Sequence, residues 1–186
     1  TWAASTYAKT ASGAVTTEGA GESDYSIYWD AATSTLTLHD AAIDLASNGS
    51  LDSIVKADLD ALTLHLVGTN TIKATISQAA AFAAISNRGT IDIDSKDGGS
   101  LSIELTQTVD SASGSKLTGI YTETGLTNHT DLSISIETTA SMYCSQQIYG
   151  IEGGVYKQKS AFLDNRGDID IKVANNSLSA WSGATV

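Results

Sequence analysis

Carboxylate side chains recur at short intervals in two segments of the chain. Asp92, Asp94 and Asp97 cluster in one segment, and Asp168 and Asp170 lie in a second segment that nearly repeats it. Alternate residues of a β-strand point to the same face, so such carboxylates would share one surface. Oxygen ligands of this kind suit Ca²⁺, which makes Asp92, Asp94 and Asp97 the candidate ligands of a calcium ion. The alternative is a strand face of solvated acids.

Tyrosines form the second candidate group. Tyr121 and Tyr156 each follow a glycine and an aliphatic residue, and we predict that they occupy equivalent outward positions on adjacent coils, with Tyr149 nearby. The face of a sugar ring buries C–H groups on an aromatic surface, so exposed stacked rings suit a glycan. The sequence therefore predicts a glycan-binding site at Tyr121, Tyr149 and Tyr156; otherwise these rings cover the edges of the coils.

A third group joins His39, His65 and Asp94, which we predict to lie on one row of neighbouring strands. Two imidazoles and a carboxylate at that spacing could bind zinc, and a plain polar row is the alternative. For catalysis, glycoside hydrolysis needs two positioned carboxyl groups, but no nucleophile motif accompanies the acids. The two arginines, Arg88 and Arg166, occupy the same turn in two repeats, which favours a structural role. We therefore predict that the protein is not an enzyme.

The elements that must position these residues are short strands. Five segments alternate apolar and polar residues, and residues 87–94 return almost unchanged as residues 165–172. This period of two is typical of a strand with one buried face. Repeats 26 to 41 residues long predict an all-β fold, a right-handed parallel β-helix (solenoid) of about five coils. Stacking the segments predicts one inward column: Leu36, Leu62, Ile91, Leu132 and Ile169.

The composition predicts two regions in the 186-residue chain. Residues 1–24 are rich in Ala, Ser, Thr and Gly and are expected to form an N-terminal arm, cap or linker. Residues 25–186 are expected to form the β-helix domain. Its core must consist mainly of Ile, Leu, Val and Ala, because the whole chain contains only 2 Phe and 1 Met.

The charge excludes some classes of partner. With 10 basic and 21 acidic residues, the net charge of -11 argues against nucleic acids and anionic membranes. No apolar run approaches the ~20 residues of a membrane-spanning helix. Few cysteines and abundant Ser, Thr and Gly are typical of an exported bacterial protein, which we expect to be extracellular or at the cell surface. The single Cys144 is expected to be buried.

Several segments resemble a known family. The sequence YWDAATSTLTL at residues 28–38 is similar to the opening of extracellular, Firmicutes-type carbohydrate-binding β-helix domains. The segments GIY (119–121), GVY (154–156), LVGTNTI (66–72) and GSLSI (99–103) share the repeat vocabulary of that family. The resemblance implies a right-handed parallel β-helix that binds polysaccharide, in some members with calcium. We therefore predict an extracellular binding or adhesion module for polysaccharide or a cell-surface glycan.

Self-assembly is the alternative function. An open solenoid end presents unpaired strand edges, which can template another copy of the chain. The N-terminal arm could add a strand to such a neighbour. In that case the protein would be a structural subunit of a cell-surface filament or layer, and Trp2, Tyr7 and Trp181 would be its contact residues.

Overall fold

The computed structural model describes residues 2–77, 81–95, 98–108, 116–138, 147–156, 159–175 and 183–185, with the backbone alone at residues 155–156, 159–160, 175 and 183–185. Within these ranges the regular elements are all β-strands, and so no helix there is long and apolar enough to cross a membrane.

In chain order the strands are β1 (Thr6–Ala11), β2 (Ala14–Thr16), β3 (Ile27–Asp30), β4 (Thr35–His39), β5 (Ala42–Leu45), β6 (Ser53–Ala57), β7 (Ala61–Val67), β8 (Thr69–Ile76), β9 (Ala81–Asn87), β10 (Thr90–Asp94), β11 (Ser100–Gln107), β12 (Lys116–Thr122), β13 (Gly125–Asn128), β14 (Asp131–Thr138), β15 (Gln147–Gly153), β16 (Val155–Tyr156), β17 (Lys159–Ser160), β18 (Phe162–Asn165), β19 (Ile169–Asn175) and β20 (Gly183–Thr185).

Most strands belong to three sheets that run along the molecule. The first sheet stacks β4, β7, β10, β13 and β18 in parallel, the second stacks β5, β8, β11, β14 and β19, and the third stacks β6, β9, β12, β15 and β20. The chain visits the three sheets in turn and then returns to the first, one level further on. This is a parallel β-solenoid, and the predicted fold class is confirmed.

The number of turns differs slightly from the predicted five coils. Three turns, β7–β9, β10–β12 and β13–β15, have parallel neighbours on both sides in every sheet. The turns β4–β6 and β18–β20 are terminal, because each has a parallel neighbour on one side only among the described strands. Between β15 and β18 the chain forms a separate antiparallel ribbon, β16–β17.

The core is a column of aliphatic side chains between the sheets. Leu64, Ile72 and Ile85 come from the three sheets of one turn, and each is completely buried. In β11 buried and half-buried positions alternate along all eight residues, as expected for a strand with one face inward. At about 25 cal/mol per Å² of apolar surface, this burial is the main stabilising contribution to the fold.

The predicted inward column combined two different sheets. Leu62 and Ile91 are neighbours in the first sheet, and Leu132 and Ile169 are neighbours in the second. The prediction that all of them share one column is therefore wrong. Every sheet has the same alternation of apolar and polar residues, so the pattern alone does not identify the sheet to which a strand belongs.

The repeated Asn-Arg-Gly segment accounts for the wrong column, because it turns the chain at two different corners of the solenoid. Residues 87–89 lead into β10 of the first sheet, and residues 165–167 lead into β19 of the second. A Cβ on Gly89 would lie 2.0 Å from the Asp60 carbonyl oxygen, and one on Gly167 would lie 2.2 Å from that of Thr130. Only glycine permits so close an approach to the preceding turn.

The other two residues of the segment also hold the corner. Asn87 is completely buried, and its Nδ2 donates a hydrogen bond to the Thr90 carbonyl at 2.8 Å. Arg88 lies outside, with its Nε 3.0 Å from Asp58 Oδ1. Arg166 likewise pairs with Asp164 at 2.7 Å. Both arginines thus contribute ion pairs at corners, which fits the structural role predicted for them.

The N-terminal segment folds onto the first turn. Strand β1 pairs antiparallel with β3, which pairs antiparallel with β4, and this extends the first sheet to eight strands. Ala8 of β1 is completely buried, and the Gly13 carbonyl accepts a hydrogen bond from the Asp44 amide at 2.8 Å. These contacts pack the segment on the first turn, while its division from the rest of the chain at residue 24 stays a prediction.

Candidate functional site

The outer face of the third sheet has small side chains in strand β9. Its outward residues are Ala81, Ala83 and Ser86. The alternation changes phase between Ala83 and Ser86, because the two intervening residues, Ala84 and Ile85, are both completely buried. A local break of this kind redirects the side chains that follow it, much as a β-bulge does.

In the next two turns, glycine occupies the position that corresponds to the first of these two consecutive buried residues. A Cβ on Gly119 would lie 2.7 Å from Cγ2 of Ile134, and one on Gly150 would lie 2.5 Å from Cγ2 of Ile171. The third sheet therefore approaches the second most closely where the third has glycine and the second has isoleucine. This packing sets the outward direction of the residue that follows each Gly-Ile pair.

In β12 that outward residue is Tyr121. In the register of β12 and β15, Tyr121 lies beside Glu152, and Tyr149 lies beside Thr118. The ammonium group of Lys116 lies 5.3 Å from the ring centre of Tyr121 and 5.8 Å from that of Tyr149. The structure thus brings two of the three predicted tyrosines to one face, joined by a lysine.

The third predicted tyrosine lies elsewhere. Tyr156 belongs to the ribbon β16–β17, where its backbone pairs with Lys159. The prediction that Tyr121 and Tyr156 are equivalent is therefore wrong. The Gly-Ile-Tyr segment at 119–121 is in register with Gly-Ile-Glu at 150–152, because the inward glycines fix the alignment of the third sheet.

An open groove of about 190 Å³ runs along this face. Small side chains form its floor, an Asp–Lys pair lies on one side, and larger side chains from β12 and β15 lie on the other. The floor consists of Ser53, Ala81, Ala83 and Ser86; the flanking residues are Asp52 and Lys56 on one side and Lys116, Thr118, Tyr121 and Glu152 on the other.

Two lysine–carboxylate pairs supply the charges of the groove. Lys116 contacts Glu152, whose side chain is only 16% exposed and also accepts a hydrogen bond from Thr118 Oγ1 at 3.0 Å. Lys56 contacts Asp52 at 2.5 Å, and both side chains are exposed. Both sides of the groove therefore carry hydrogen-bond donors and acceptors: the Lys116–Glu152 pair is partly buried, and the Lys56–Asp52 pair is exposed to solvent.

Two groups in the groove have shifted pKa values. Hydrogen bonds from Lys56 and Ser53 lower the pKa of Asp52 below its usual value. Burial, and then the nearby charge of Glu123, raise the pKa of Tyr121. At neutral pH the groove therefore presents an ionised carboxylate opposite a neutral phenol ring.

The candidate calcium ligands lie on the first sheet. Asp94 Oδ1 is 2.6 Å from His65 Nδ1, and Asp92 Oδ1 is 3.5 Å from His129 Nε2. Asp97 lies outside the described residues. In the described ranges no three His, Cys, Asp or Glu side chains are grouped so that they could hold a metal ion. A calcium site at Asp92, Asp94 and Asp97 stays a prediction.

The predicted row of His39, His65 and Asp94 is only half right. Asp94 does lie beside His65, but His65 lies beside Thr37 and His39 lies beside Val67. The pairing of β4 with β7 is displaced by two residues from the predicted alignment, so the prediction that His39 and His65 are neighbours in one row is wrong. Turn length sets this displacement, and the strand pattern is the same in either register.

The residues assigned to self-assembly make contacts within their own chain. Trp2 is half-buried against the hydrophobic core. Tyr7 stacks on Tyr28, with ring centres 4.3 Å apart and planes 19° apart. Trp181 lies outside the described residues.

The chain was compared with protein-family models, with curated proteins and with solved structures, and none of them matches. The resemblance to extracellular β-helix domains therefore stays a prediction.

Sequence reasoning missed most of the groove. Lys116, Glu152, Asp52 and Lys56 carry no motif that marks them as neighbours. The sequence does contain a run of small residues in β9. This run indicates a groove only once the phase change at residues 84–85 shows which of the small side chains point outward.

Proposed function

We propose that the protein is a non-enzymatic module that binds polysaccharide outside the cell or at the cell surface, and that the groove on the third sheet holds the sugar chain. The observation that carries this proposal is the ring of Tyr121 beside a floor of Ser53, Ala83 and Ser86. The small floor lets a sugar ring approach the backbone, and the aromatic ring offers a surface for its C–H face.

The charged pairs of the groove support binding of hydroxyl groups. Glu152 is held by Lys116 and Thr118 before a ligand arrives, and Lys56 and Asp52 add an exposed donor and acceptor on the other side. Such preorganisation lowers the entropy lost on binding. A sugar chain presents hydroxyl groups along both edges, so the two pairs can contact opposite edges of one chain.

The carboxylates of the groove favour binding over glycoside hydrolysis. A general acid in such an enzyme needs a raised pKa, whereas that of Asp52 is lowered by Lys56 and Ser53. Glu152 is held by Lys116 and Thr118. Asp52 is therefore not in the environment of a proton donor.

The direct test is binding of the purified chain to cellulose, xylan, mannan and polygalacturonate, with calorimetry on soluble oligosaccharides of those that bind. Each measurement is made with added Ca²⁺ and with a chelator, because calcium is the predicted cofactor. Tyr121→Ala should weaken binding by about tenfold, the size expected for one lost aromatic contact. Lys116→Ala should also weaken it.

Lys73→Ala is the matched control. Lys73 forms an exposed ion pair with Glu104 of the next turn at 2.9 Å, as Lys116 does with Glu152, but it lies on the second sheet. Its removal should leave the affinity unchanged. The proposal is wrong if no polysaccharide binds, or if Tyr121→Ala binds as tightly as the original chain.

A self-assembling surface subunit is the second candidate, and one observation favours it. Phe162 and Leu163 in β18 are 50% and 55% exposed, and β18 is the last described strand of the first sheet. Such an edge can accept a strand from another copy. Light scattering after size-exclusion chromatography tests this: concentration-dependent oligomers would support assembly, and a monomer at all concentrations would contradict it.

A further inference from the structure

The two ion pairs of the groove have the same construction. On the side of β6, Lys56 contacts Asp52, and Ser53 Oγ donates a hydrogen bond to Asp52 Oδ1 at 2.9 Å. On the side of β12, Lys116 contacts Glu152, and Thr118 Oγ1 donates a hydrogen bond to Glu152 Oε2 at 3.0 Å. Each side of the groove therefore carries an ammonium group, a carboxylate and the hydroxyl that binds this carboxylate.

Each ion pair runs over a small residue. Ser53 lies between Asp52 and Lys56 in sequence and is 7% exposed. Thr118 is 1% exposed, because the Lys116–Glu152 pair crosses above it from β12 to β15. Side chains of this size would be accessible on an open sheet face, so the ion pairs are what close the surface at these two positions.

The two covered residues lie on either side of the groove floor. Ser53 is in register with Ala83, and Ala83 is in register with Thr118. These three residues form a row across the strands, parallel to the solenoid axis. A ligand lying along that axis would have to follow this row, and the row is closed by an ion pair on both sides of Ala83.

The floor stays accessible in the other direction. Ala81 is exposed, and Ala83 and Ser86 are half-buried, so the open positions follow one another along β9. Strands β6 and β12 are the two neighbours of β9, and their backbones are therefore roughly 10 Å apart. The groove is thus a channel that runs along β9, across the solenoid axis, with one ion pair on each side.

The size of the channel limits what it holds. Its volume is about 190 Å³. Pockets that enclose a drug-sized molecule start at roughly 300 Å³, so this channel holds about two sugar units of a longer chain.

We propose that the channel takes a single, isolated polysaccharide chain lying along β9 and does not take chains packed in a flat crystalline face. The inference rests on the proposed function for the class of ligand, and adds the physical form and the direction of that ligand. A flat face cannot reach Ala83, because the ion pairs rise on both sides of it. A single chain fits between them, and its two edges present hydroxyl groups to the two pairs.

Tyr149 distinguishes the two directions. It is in register with Thr118, on the far side of the Lys116–Glu152 pair from the floor. A chain along the solenoid axis would reach Tyr149, whereas a chain along β9 passes beside Tyr121 alone. Tyr149→Ala should therefore change the affinity by less than about twofold, while Tyr121→Ala weakens it by about tenfold.

NMR of the original chain gives a second measurement of direction, which is needed because Tyr149 also contacts Lys116. Hexasaccharides of glucose, xylose, mannose and galacturonic acid are the probes. We expect a hexasaccharide that binds to shift the backbone amide signals of Ala83 and Ser86 and to leave those of Ile148 and Tyr149 in place.

The length and the form of the ligand are tested separately. In calorimetry the trisaccharide of a sugar that binds should be within about fivefold of the hexasaccharide in affinity, because the additional units lie outside the channel. Microcrystalline cellulose should retain none of the protein, whichever sugars bind in solution.

Four results would overturn the inference. If oligosaccharides bind, but Tyr149→Ala weakens binding as much as Tyr121→Ala and the Tyr149 amide shifts, the chain lies along the axis and only the direction is wrong. A hexasaccharide that binds far more tightly than the trisaccharide would contradict the short channel. Retention on microcrystalline cellulose would contradict the isolated chain. If no oligosaccharide binds, this inference and the proposed function are both wrong.

Discussion

The outer faces of the first and third sheets are built on the same parallel ladder and yet present opposite surfaces. On the third sheet the central outward residues are small, such as Ala83 and Ser86, and a groove forms between larger neighbours. On the first sheet most of the corresponding positions carry a large or charged side chain, such as Tyr28, His65 and Asp94, although Thr37 lies between Tyr28 and His65. The backbone of a solenoid therefore leaves its outward positions free to build different contact surfaces.

The inward positions of the two sheets differ as well. The first sheet has leucine or isoleucine at most inward positions, such as Leu64 and Ile93, and its alternation is regular. The third sheet has Gly119 and Gly150 facing isoleucines of the second sheet, and its Ala84 is also small and buried. The groove thus depends on small residues inside the molecule as well as outside it.

The largest expected effect tests this dependence. Gly119→Ala places a Cβ 2.5 Å from the Gly150 carbonyl oxygen and 2.7 Å from Ile134, so the backbone must move. We expect a loss of about 3 kcal/mol in the free energy of unfolding, the upper end for overpacking. Urea denaturation measures it. Gly21→Ala is the control, because nothing lies within 4 Å of the added atom; equal losses in the two variants would contradict the argument.

A second pair of variants compares the ion pairs of the two faces. Lys116→Ala leaves the 16%-exposed Glu152 with Thr118 as its remaining described partner, and should cost roughly 2 kcal/mol. Asp94→Ala removes a 42%-exposed carboxylate and should cost less than about 1 kcal/mol. Thermal unfolding, followed by circular dichroism, shows which of the two variants loses more stability. A larger loss for Asp94→Ala would reverse the comparison.

Filling the groove should remove the difference between the faces. Ala83→Phe puts an aromatic ring on the groove floor. The third sheet would then carry a large outward side chain there, as the first sheet does. We expect polysaccharide affinity in the groove to fall by at least about tenfold, or 1.4 kcal/mol, with stability within about 0.5 kcal/mol of the original. Calorimetry and urea denaturation measure the two quantities. Unchanged affinity with an intact fold would show that the sugar does not enter the groove.

The smallest effect concerns pH, since each face has an aspartate whose pKa is lowered by a basic partner. Lys56 lowers the pKa of Asp52 in the groove, and Arg166 lowers the pKa of Asp164 on the first sheet. A lowered pKa in the folded state means that the ion pair contributes fully above the usual aspartate pKa and is lost as the pH falls through the lowered value. Both pairs should therefore persist at pH 4.

Carboxyl carbon NMR measures this directly. We expect both midpoints below the ordinary value of 3.8. Lys56→Gln should raise the midpoint of Asp52 and leave that of Asp164 unchanged, because the two groups lie on different sheets. A midpoint of Asp52 that does not respond to Lys56→Gln would show that the lysine is not the cause.

Much of the candidate site was visible in the sequence only as residue types. Tyr121 and Tyr149, two of the three predicted tyrosines, lie on one face, but the predicted pairing was of Tyr121 with Tyr156. Lys116 and Glu152, which complete that surface, were not predicted. Side-chain neighbours across strands are residues about 30 positions apart, and their identity depends on the length of every turn between them. A change of one residue in one turn would replace all of these neighbours.

The sequence by itself determined the strands, their apolar and polar faces, the parallel solenoid and the Asn-Arg-Gly corners, because each depends on residues close together in the chain. It also placed Asp94 beside His65 correctly. Only the tertiary structure decided which sheet each strand joins, the displacement between β4 and β7, and the phase change at Gly119. Apolar and polar residues alternate in all three sheets, so the packing of glycine against isoleucine and the lengths of the turns had to settle what the alternation leaves open.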